Sequence, residues 1–521
     1  MTQPNEFLRD YCELTSQSFN LELIQTPALP EESFRISNEK VEFSSLSGLR
    51  NAVNVFNQSN ARLTPIRDAI TEPAFRIRGV IEGFYGQPWS HSQRKKALNF
   101  FARHNMNTFI LAPKDDPWQR FDWRTPFSSL FLELTQELVE LSKKLLIDLN
   151  VCVSPGLTVC YSSQEDVDAL LVRYRQLHSI GVRRFGLLLD DISGELQYES
   201  DRKQFTSIAE AHSIFSNSVA LELTKLDLSN SLFVCPLQYH GRGHEPYISE
   251  LGNKLDKKID LMWTGRQICS EYLEVFDALK FVEGTSKQPF YWDNYPVNDV
   301  AMVHQLHVGP IQKRDADLGA HSVGLVANPM DRFESSLIPL ATIADYLWDS
   351  KNYNPEQSWT FAMDELIPNK KDREAIRHLF RNCFESCLAV DAAPDFGALL
   401  GKVTLAWRTG QAHQAAQFLD EFAAEMFASY QTINASDFSY PELRAEIGPW
   451  LTKYKAVAEA LNQIATILKQ SSFKKGRLVG TSQMANQVRQ IRISLAQDPT
   501  RIFGDGLDLV LGELATELSA A

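Results

Sequence analysis

Eight short apolar or β-branched runs recur through the middle of this chain, and their number constrains the fold more than any other feature. They are RGVIEGF (78–84), NTFILAPK (107–114), VCVSPG (151–156), FGLLLDD (185–191), LFVCPLQY (232–239), DLMWTG (260–265), PFYWDNYP (289–296) and VGLVANP (323–329). Between most of them lie helix-like stretches, such as SQRKKALNFFARHN (92–105) and SSLFLELTQELVELSKKLL (128–146). In the second, Leu130, Leu134, Leu138 and Leu141 form an apolar stripe, which predicts an amphipathic helix buried along that line. Strands alternating with helices form parallel βαβ units, and eight of them close a (β/α)₈ barrel of about 250 residues. A doubly wound open sheet is the competing arrangement; the strand count favours a TIM-type barrel over residues 73–350.

The flanks have a different texture. Residues 1–72 hold a strand-like FRISNEKVEFSS and a helix-like LSGLRNAVNVFNQ, read as a small N-terminal α/β segment. Residues 351–521 read as a C-terminal α-helical bundle. There Trp450, Tyr454, Val457, Leu461, Ile464 and Leu468 follow 4-3-4-3-4 spacing, the seam of a bundle core. The chain is acidic, with net charge −13 and no Lys/Arg-rich block, which argues against nucleic acid or an anionic membrane as partner. No basic-then-apolar leader and no run of ~18 apolar residues stand in the sequence. The seven cysteines include no CxxC pair, and Cys383 and Cys387 sit at helical spacing, so reduced thiols and a cytoplasmic setting are expected.

In such a barrel the chemistry gathers where strands end. The strand ends here supply Glu82, Lys114-Asp115-Asp116, Asp190-Asp191, Gln238-Tyr239-His240, Trp263, Trp292-Asp293-Asn294 and Asn328. Singly, each has a bland reading, since an Asp after a strand is commonly a helix cap or turn residue. Together they place carboxylates, amides, a lysine and aromatic rings at one mouth. That mixture suits a sugar, whose C–H faces stack on rings while its hydroxyls need hydrogen bonds. Phosphate-cradling glycine loops, GxSxG and HExxH are absent, and YHGRGHEP is too rich in Gly and Pro to form a helical metal pair.

RGVIEGFYGQPWS (78–90), with APKDDP (112–117), SPGL (154–157), LLLDDI (187–192), MWTG (262–265), WDNYPVND (292–299) and NP (328–329), resembles the glycoside hydrolase family of O-GlcNAcases and microbial β-N-acetylglucosaminidases, some of which carry hyaluronidase names. The resemblance covers about residues 73–345 in the family's motif order. It implies a retaining exo-β-N-acetylglucosaminidase with substrate-assisted catalysis. The sugar's own 2-acetamido oxygen attacks the anomeric carbon and forms an oxazoline, so the protein supplies no nucleophile. No cofactor and no metal are implied. By motif position, Asp190 directs the acetamide and Asp191 is the general acid/base. Gly83 and Lys114 would meet sugar hydroxyls, and Tyr239 would bond the acetamide oxygen. Asn294 would support the acetamide end, Trp292 would wall the N-acetyl pocket, and Asp299 and Asn328 would hold hydroxyls at the non-reducing end. The chain departs from the pattern before Tyr239, reading CPLQYHG where Thr-Glu is expected ahead of the tyrosine.

Two close carboxylates do not ionise independently, so Asp190 is expected to stay charged and help keep Asp191 protonated in an apolar mouth. Adjacent strand residues point to opposite faces, so both carboxylates can serve only where the strand is ending. The expected partners are β-linked N-acetylglucosamine substrates: O-GlcNAc on Ser/Thr of glycoproteins, or, alternatively, cell-wall and oligosaccharide fragments. A non-catalytic carbohydrate-binding barrel is a third reading. For residues 351–521, dimerisation and walling of the aglycone side both stay open.

Overall fold

The computed structural model describes residues 3–389, 393–474 and 476–519. After a helix over Pro4–Thr15 come three strands, β1 (Glu22–Gln25), β2 (Phe34–Ser37) and β3 (Lys40–Phe43), in the order β1-β3-β2. The stretch FRISNEKVEF is thus two strands, not one. Asn38 and Glu39 both take positive φ (47° and 62°), as a two-residue hairpin turn requires. Ser45 caps the following helix, Leu46–Arg62, by accepting from the Gly48 N–H at 3.2 Å.

Eight parallel strands follow, one for each predicted run: β4 (Ile77–Glu82), β5 (Thr108–Leu111), β6 (Asp148–Val153), β7 (Arg184–Leu188), β8 (Ser231–Cys235), β9 (Asp260–Trp263), β10 (Pro289–Asp293) and β11 (Gly324–Ala327). They close into a barrel in the order β10-β11-β4-β5-β6-β7-β8-β9. Helices cover the outside, so strands are buried on both faces and read as continuous apolar runs rather than alternating ones; β4 is buried at every position. Ile81, Ile110, Cys152, Leu188, Phe233, Met262 and Phe290 pack in one buried apolar cluster inside it.

The helix Ser129–Lys144 forms as expected, but its buried face is not the leucine stripe. Thr135, Leu138, Val139 and Ser142 are buried, while Leu130 is 62% exposed and Leu134 36%. A 4-4-3 spacing drifts around a 3.6-residue helix, and only its middle meets the face that packs inward.

The chain divides into two compact units. One comprises residues 1–297, 311–331 and 340–354; the other comprises 298–310, 332–339 and 355–521. The N-terminal sheet belongs to the barrel's unit and is tied to the starts of its strands. Arg78 on β4 forms two hydrogen bonds with Glu32 (2.8 and 2.9 Å), and Arg50 donates to the Leu146 carbonyl (2.6 Å). The second unit is mainly helical. In its helix Gly448–Gln470 all six predicted seam residues, Trp450 to Leu468, are buried.

Two buried ion pairs fasten the barrel's working end. Glu82, last on β4, receives Arg94 Nε (2.8 Å) and Nη2 (2.7 Å) and the Trp89 N–H (3.1 Å), which anchors the EGFYGQPW loop. Asp293, last on β10, is gripped by Arg314 Nε (2.9 Å) and Nη2 (2.7 Å), and the same guanidinium donates to the carbonyls of Ser270 and Glu271. Removing one member of such a pair leaves an uncompensated buried charge. Arg314→Met is therefore expected to destabilise the protein by ~3–5 kcal/mol, whereas Asp293→Leu combined with it recovers most of the loss. Chemical-denaturation midpoints of both variants against the unmodified protein test this; a double variant no more stable than Arg314→Met would show that the unpaired Asp293 charge is not the source of the loss.

Candidate active site

The residues after β7 answer how two neighbouring carboxylates can share one mouth. β7 ends at Leu188, and Asp191 takes a left-handed backbone (φ 54°), a conformation that costs a non-glycine residue roughly 1–3 kcal/mol. That turn breaks the strand's alternation and brings both side chains to Lys114. The Lys114 ammonium hydrogen-bonds Asp190 Oδ2 and lies 3.5 Å from Asp191 Oδ2. The three come from two strand ends: Lys114 follows β5, and both aspartates follow β7. Burial pulls the Lys114 pKa down, but the charges of Asp190 and Asp191 outweigh it and hold it above its ordinary value. Lys114 is a fixed cation.

The two aspartates have different surroundings. Asp190 is 6% exposed, and its Oδ1 is buried without a hydrogen-bond partner among the described residues. Asp191 Oδ2 accepts from the Tyr85 hydroxyl (2.8 Å) and Oδ1 from the Tyr239 hydroxyl (3.0 Å). Arg120 donates to the Tyr85 oxygen (2.8 Å) and to the Asp191 carbonyl (2.9 Å). Burial alone would raise the Asp191 carboxyl; Lys114, the two tyrosine hydroxyls and Arg120 outweigh it and hold it below the usual carboxylate range. This corrects the sequence expectation. The Asp191 carboxyl is shifted downward rather than upward, because its partners are donors and cations that the sequence pattern did not place there.

A second set of predicted residues forms the adjoining wall. The Gly83 N–H donates to Asn328 Oδ1 (3.2 Å), Asn328 Nδ2 to Asn294 Oδ1 (3.0 Å), and Trp292 Nε1 to the same Asn294 oxygen (2.8 Å). Asn294 Nδ2 continues to the Ile268 carbonyl (2.9 Å). A Cβ at position 83 would fall 2.4 Å from the Trp292 ring, so the close approach of that indole requires glycine there. The two sets meet at Lys114, whose ammonium is 5.6 Å from the Trp292 ring centroid and 5.9 Å from that of Tyr85.

Asp115, Asp116 and Trp263 make contacts outside these two sets. Asp116 caps the short helix Pro117–Arg120 through the Trp118 N–H (2.9 Å), and Asp115 accepts from the Gly86 N–H (2.7 Å). Trp263 stacks on Phe281 of the surrounding helix rather than facing a ligand. Asp299 belongs to the second compact unit, where its carbonyl accepts from the Met302 N–H (2.9 Å). Tyr239 reaches Asp191 despite the departure in CPLQYHG. Tyr85 and Arg120 were not singled out from sequence. Tyr85 stands inside the EGFYG motif and could have been weighed; Arg120 carries no local signal.

A closed (β/α)₈ barrel with paired carboxylates, a buried lysine and an indole wall at its strand ends is an enzyme of the glycoside hydrolase type. Residues 78–381 match the β-N-acetylglucosaminidase family, and the chain belongs to it. Protein O-GlcNAcase of Rattus norvegicus is 30% identical over 282 residues, 53% of this chain and 30% of that protein; that of Mus musculus matches to the same extent. The matched region is thus under a third of the length of these curated relatives. Among solved structures, a substituted O-GlcNAc hydrolase of Thermobaculum terrenum superimposes with TM-score 0.80 at 31% identity, covering 85% of this chain and 95% of its own. CpGH84B shares the fold at TM-score 0.77 and 22% identity, over 94% of this chain and 87% of its own.

A carboxyl held below its unfolded pKa contributes stability above ~pH 3.9, lost as pH falls through the lower folded value. Asp191→Asn is accordingly expected to lower the melting midpoint at about pH 6 and to have a smaller effect at about pH 3. A difference that does not change with pH would show that Asp191 is not stabilised as an anion.

Proposed function

We propose that this protein is a retaining exo-β-N-acetylglucosaminidase that uses the substrate's acetamide as nucleophile, and that its substrates are O-GlcNAc groups on Ser/Thr of proteins. The observation that carries the reading is the unpartnered, buried Asp190 Oδ1 beside a lysine-held Asp190 Oδ2. A carboxylate fixed on one side and lacking a donor on the other is suited to an amide N–H. Such a bond orients the acetamide and balances the positive charge that develops on its nitrogen as its oxygen attacks the anomeric carbon. A buried carboxylate oxygen without a donor costs free energy, which a substrate N–H would offset.

Asp191 then protonates the departing oxygen and later deprotonates the water that opens the oxazoline. Since its surroundings hold its carboxyl below the usual range, it takes up a proton as substrate binds. Two changes favour uptake: the sugar excludes water from the mouth, and the Tyr239 hydroxyl turns its hydrogen from Asp191 to the acetamide oxygen. Trp292 offers an apolar wall to the acetyl methyl, held in place through Asn294 and Asn328. The names of the relatives above support a protein-borne aglycone over a cell-wall fragment. A cytoplasmic setting belongs to the same proposal and is compatible with seven free thiols.

Replacing acetyl hydrogens by fluorine weakens the carbonyl oxygen as an attacker. Turnover is therefore expected to fall steadily from acetyl to trifluoroacetyl substrates, and Asp190→Ala to flatten that slope while slowing all of them. A flat series in the unmodified enzyme, or a trapped glycosyl ester on a carboxylate, would overturn the mechanism. For the substrate, an O-GlcNAc peptide panel is expected to be turned over faster than cell-wall muropeptide fragments; the reverse order would reject the protein-borne aglycone.

A further inference from the structure

We infer that Arg120 is a positioning residue for the acid/base: it makes Tyr85 an obligate donor to Asp191 Oδ2 and thereby assigns the catalytic proton to Oδ1. The inference rests on the proposed role of Asp191. A guanidinium has only N–H donors and stays charged. With Arg120 Nη1 2.8 Å from the Tyr85 hydroxyl oxygen, that oxygen accepts, and its single hydrogen is directed to Asp191 Oδ2, also at 2.8 Å. The second cation, Lys114, lies 3.5 Å from the same Oδ2. An oxygen that receives a fixed phenol hydrogen and faces an ammonium is a poor place for a proton.

Oδ1 differs. It accepts from the Tyr239 hydroxyl at 3.0 Å, a rotor that no guanidinium among the described residues fixes in direction. Once that hydroxyl turns to a substrate group, Oδ1 is the oxygen free to carry the proton. The adjacent Asp190 carboxylate, held by Lys114, and the buried Cys235 thiol are further titratable groups in this neighbourhood, and neither has a hydrogen bond to Asp191 Oδ2 among the described residues. The Arg120 fork also holds the Asp191 carbonyl through Nη2 at 2.9 Å, so one side chain fixes both the left-handed backbone and the partner of Oδ2.

The mounting of Arg120 is rigid. It ends the short helix Pro117–Arg120, in which Gln119 Nε2 bonds the carbonyls of Leu111 (3.2 Å) and Cys152 (2.7 Å), tying it to the ends of β5 and β6. Arg173 holds the Trp118 carbonyl. Arg120 itself is 8% exposed, not the solvated position of an ordinary surface arginine.

The test uses the full chain with Arg120→Met, Arg120→Lys, Tyr85→Phe and the Arg120→Met/Tyr85→Phe double variant, each confirmed as folded by circular dichroism. Aryl β-N-acetylglucosaminides of graded leaving-group pKa are assayed across pH. Arg120→Met is expected to lose roughly 10–100-fold more kcat/KM on poor leaving groups than on activated ones, the signature of a misdirected acid. Its basic limb should move to higher pH, because Asp191 loses a nearby cation and a fixed donor. Arg120→Lys keeps the charge and should hold the basic limb near that of the unmodified enzyme, while the leaving-group dependence stays steep because an ammonium does not reproduce the fork. Tyr85→Phe should repeat the steep dependence, and the double variant should be no worse than the worse single one, since both act through one hydrogen bond. Additive losses, or an Arg120→Met enzyme with unchanged leaving-group slope and basic limb, would overturn the inference. Carbon-13 NMR titration of Asp191 in the empty site separates the two readings. An unmodified protein inactive on every β-N-acetylglucosaminide defeats the proposed function, whereas an Asp191 titration that Arg120→Met does not raise defeats the role of Arg120.

Discussion

Two consecutive carboxylates set into a mostly buried turn repel one another, and the Lys114 ammonium between them makes the arrangement tenable. Like charges about 4 Å apart repel by ~4 kcal/mol at an effective dielectric of ~20. A single cation hydrogen-bonded to one carboxylate and 3.5 Å from the other offsets that cost. The consequence is a site in which the two acidic residues are poised differently. Asp190 has one oxygen fixed and one open, while Asp191 has both oxygens covered by rotatable or fixed phenols.

The geometry holds because the surrounding strand ends are tied down by groups that take no part in it. Glu82 with Arg94 fixes the loop that presents Gly83 and Tyr85; Asp293 with Arg314 fixes the end of β10, and with it Trp292 and Asn294. Buried ion pairs are weak evidence for stability, but each here joins a strand end to the loop or segment beside it. The asparagine chain from Gly83 through Asn328 and Asn294 to Trp292 then sets the indole against a position where any side chain would collide with it. The barrel supplies rigid strand ends, and short polar links convert them into a wall.

The sequence by itself determined the strands, their number and their ends. Burial on both faces writes a continuous apolar run into the chain, and the polar residue that stops each run marks where the strand leaves the barrel, so Lys114, Asp190, Asp191, Trp292, Asn294 and Asn328 could be placed at one mouth from local pattern alone. What the tertiary structure alone decided is which polar group each of them meets. Glu82 and Asp293 look like site carboxylates in sequence, yet they pair with Arg94 and Arg314. The face of helix Ser129–Lys144 was set by its neighbours rather than by its leucines. The ionisation of Asp191 depends on Tyr85, 106 residues away, and on Arg120, 71 residues away. Hydrogen-bond partners and electrostatic fields act through space, over distances that sequence separation does not encode, whereas the burial that shapes a strand acts on each residue where it stands.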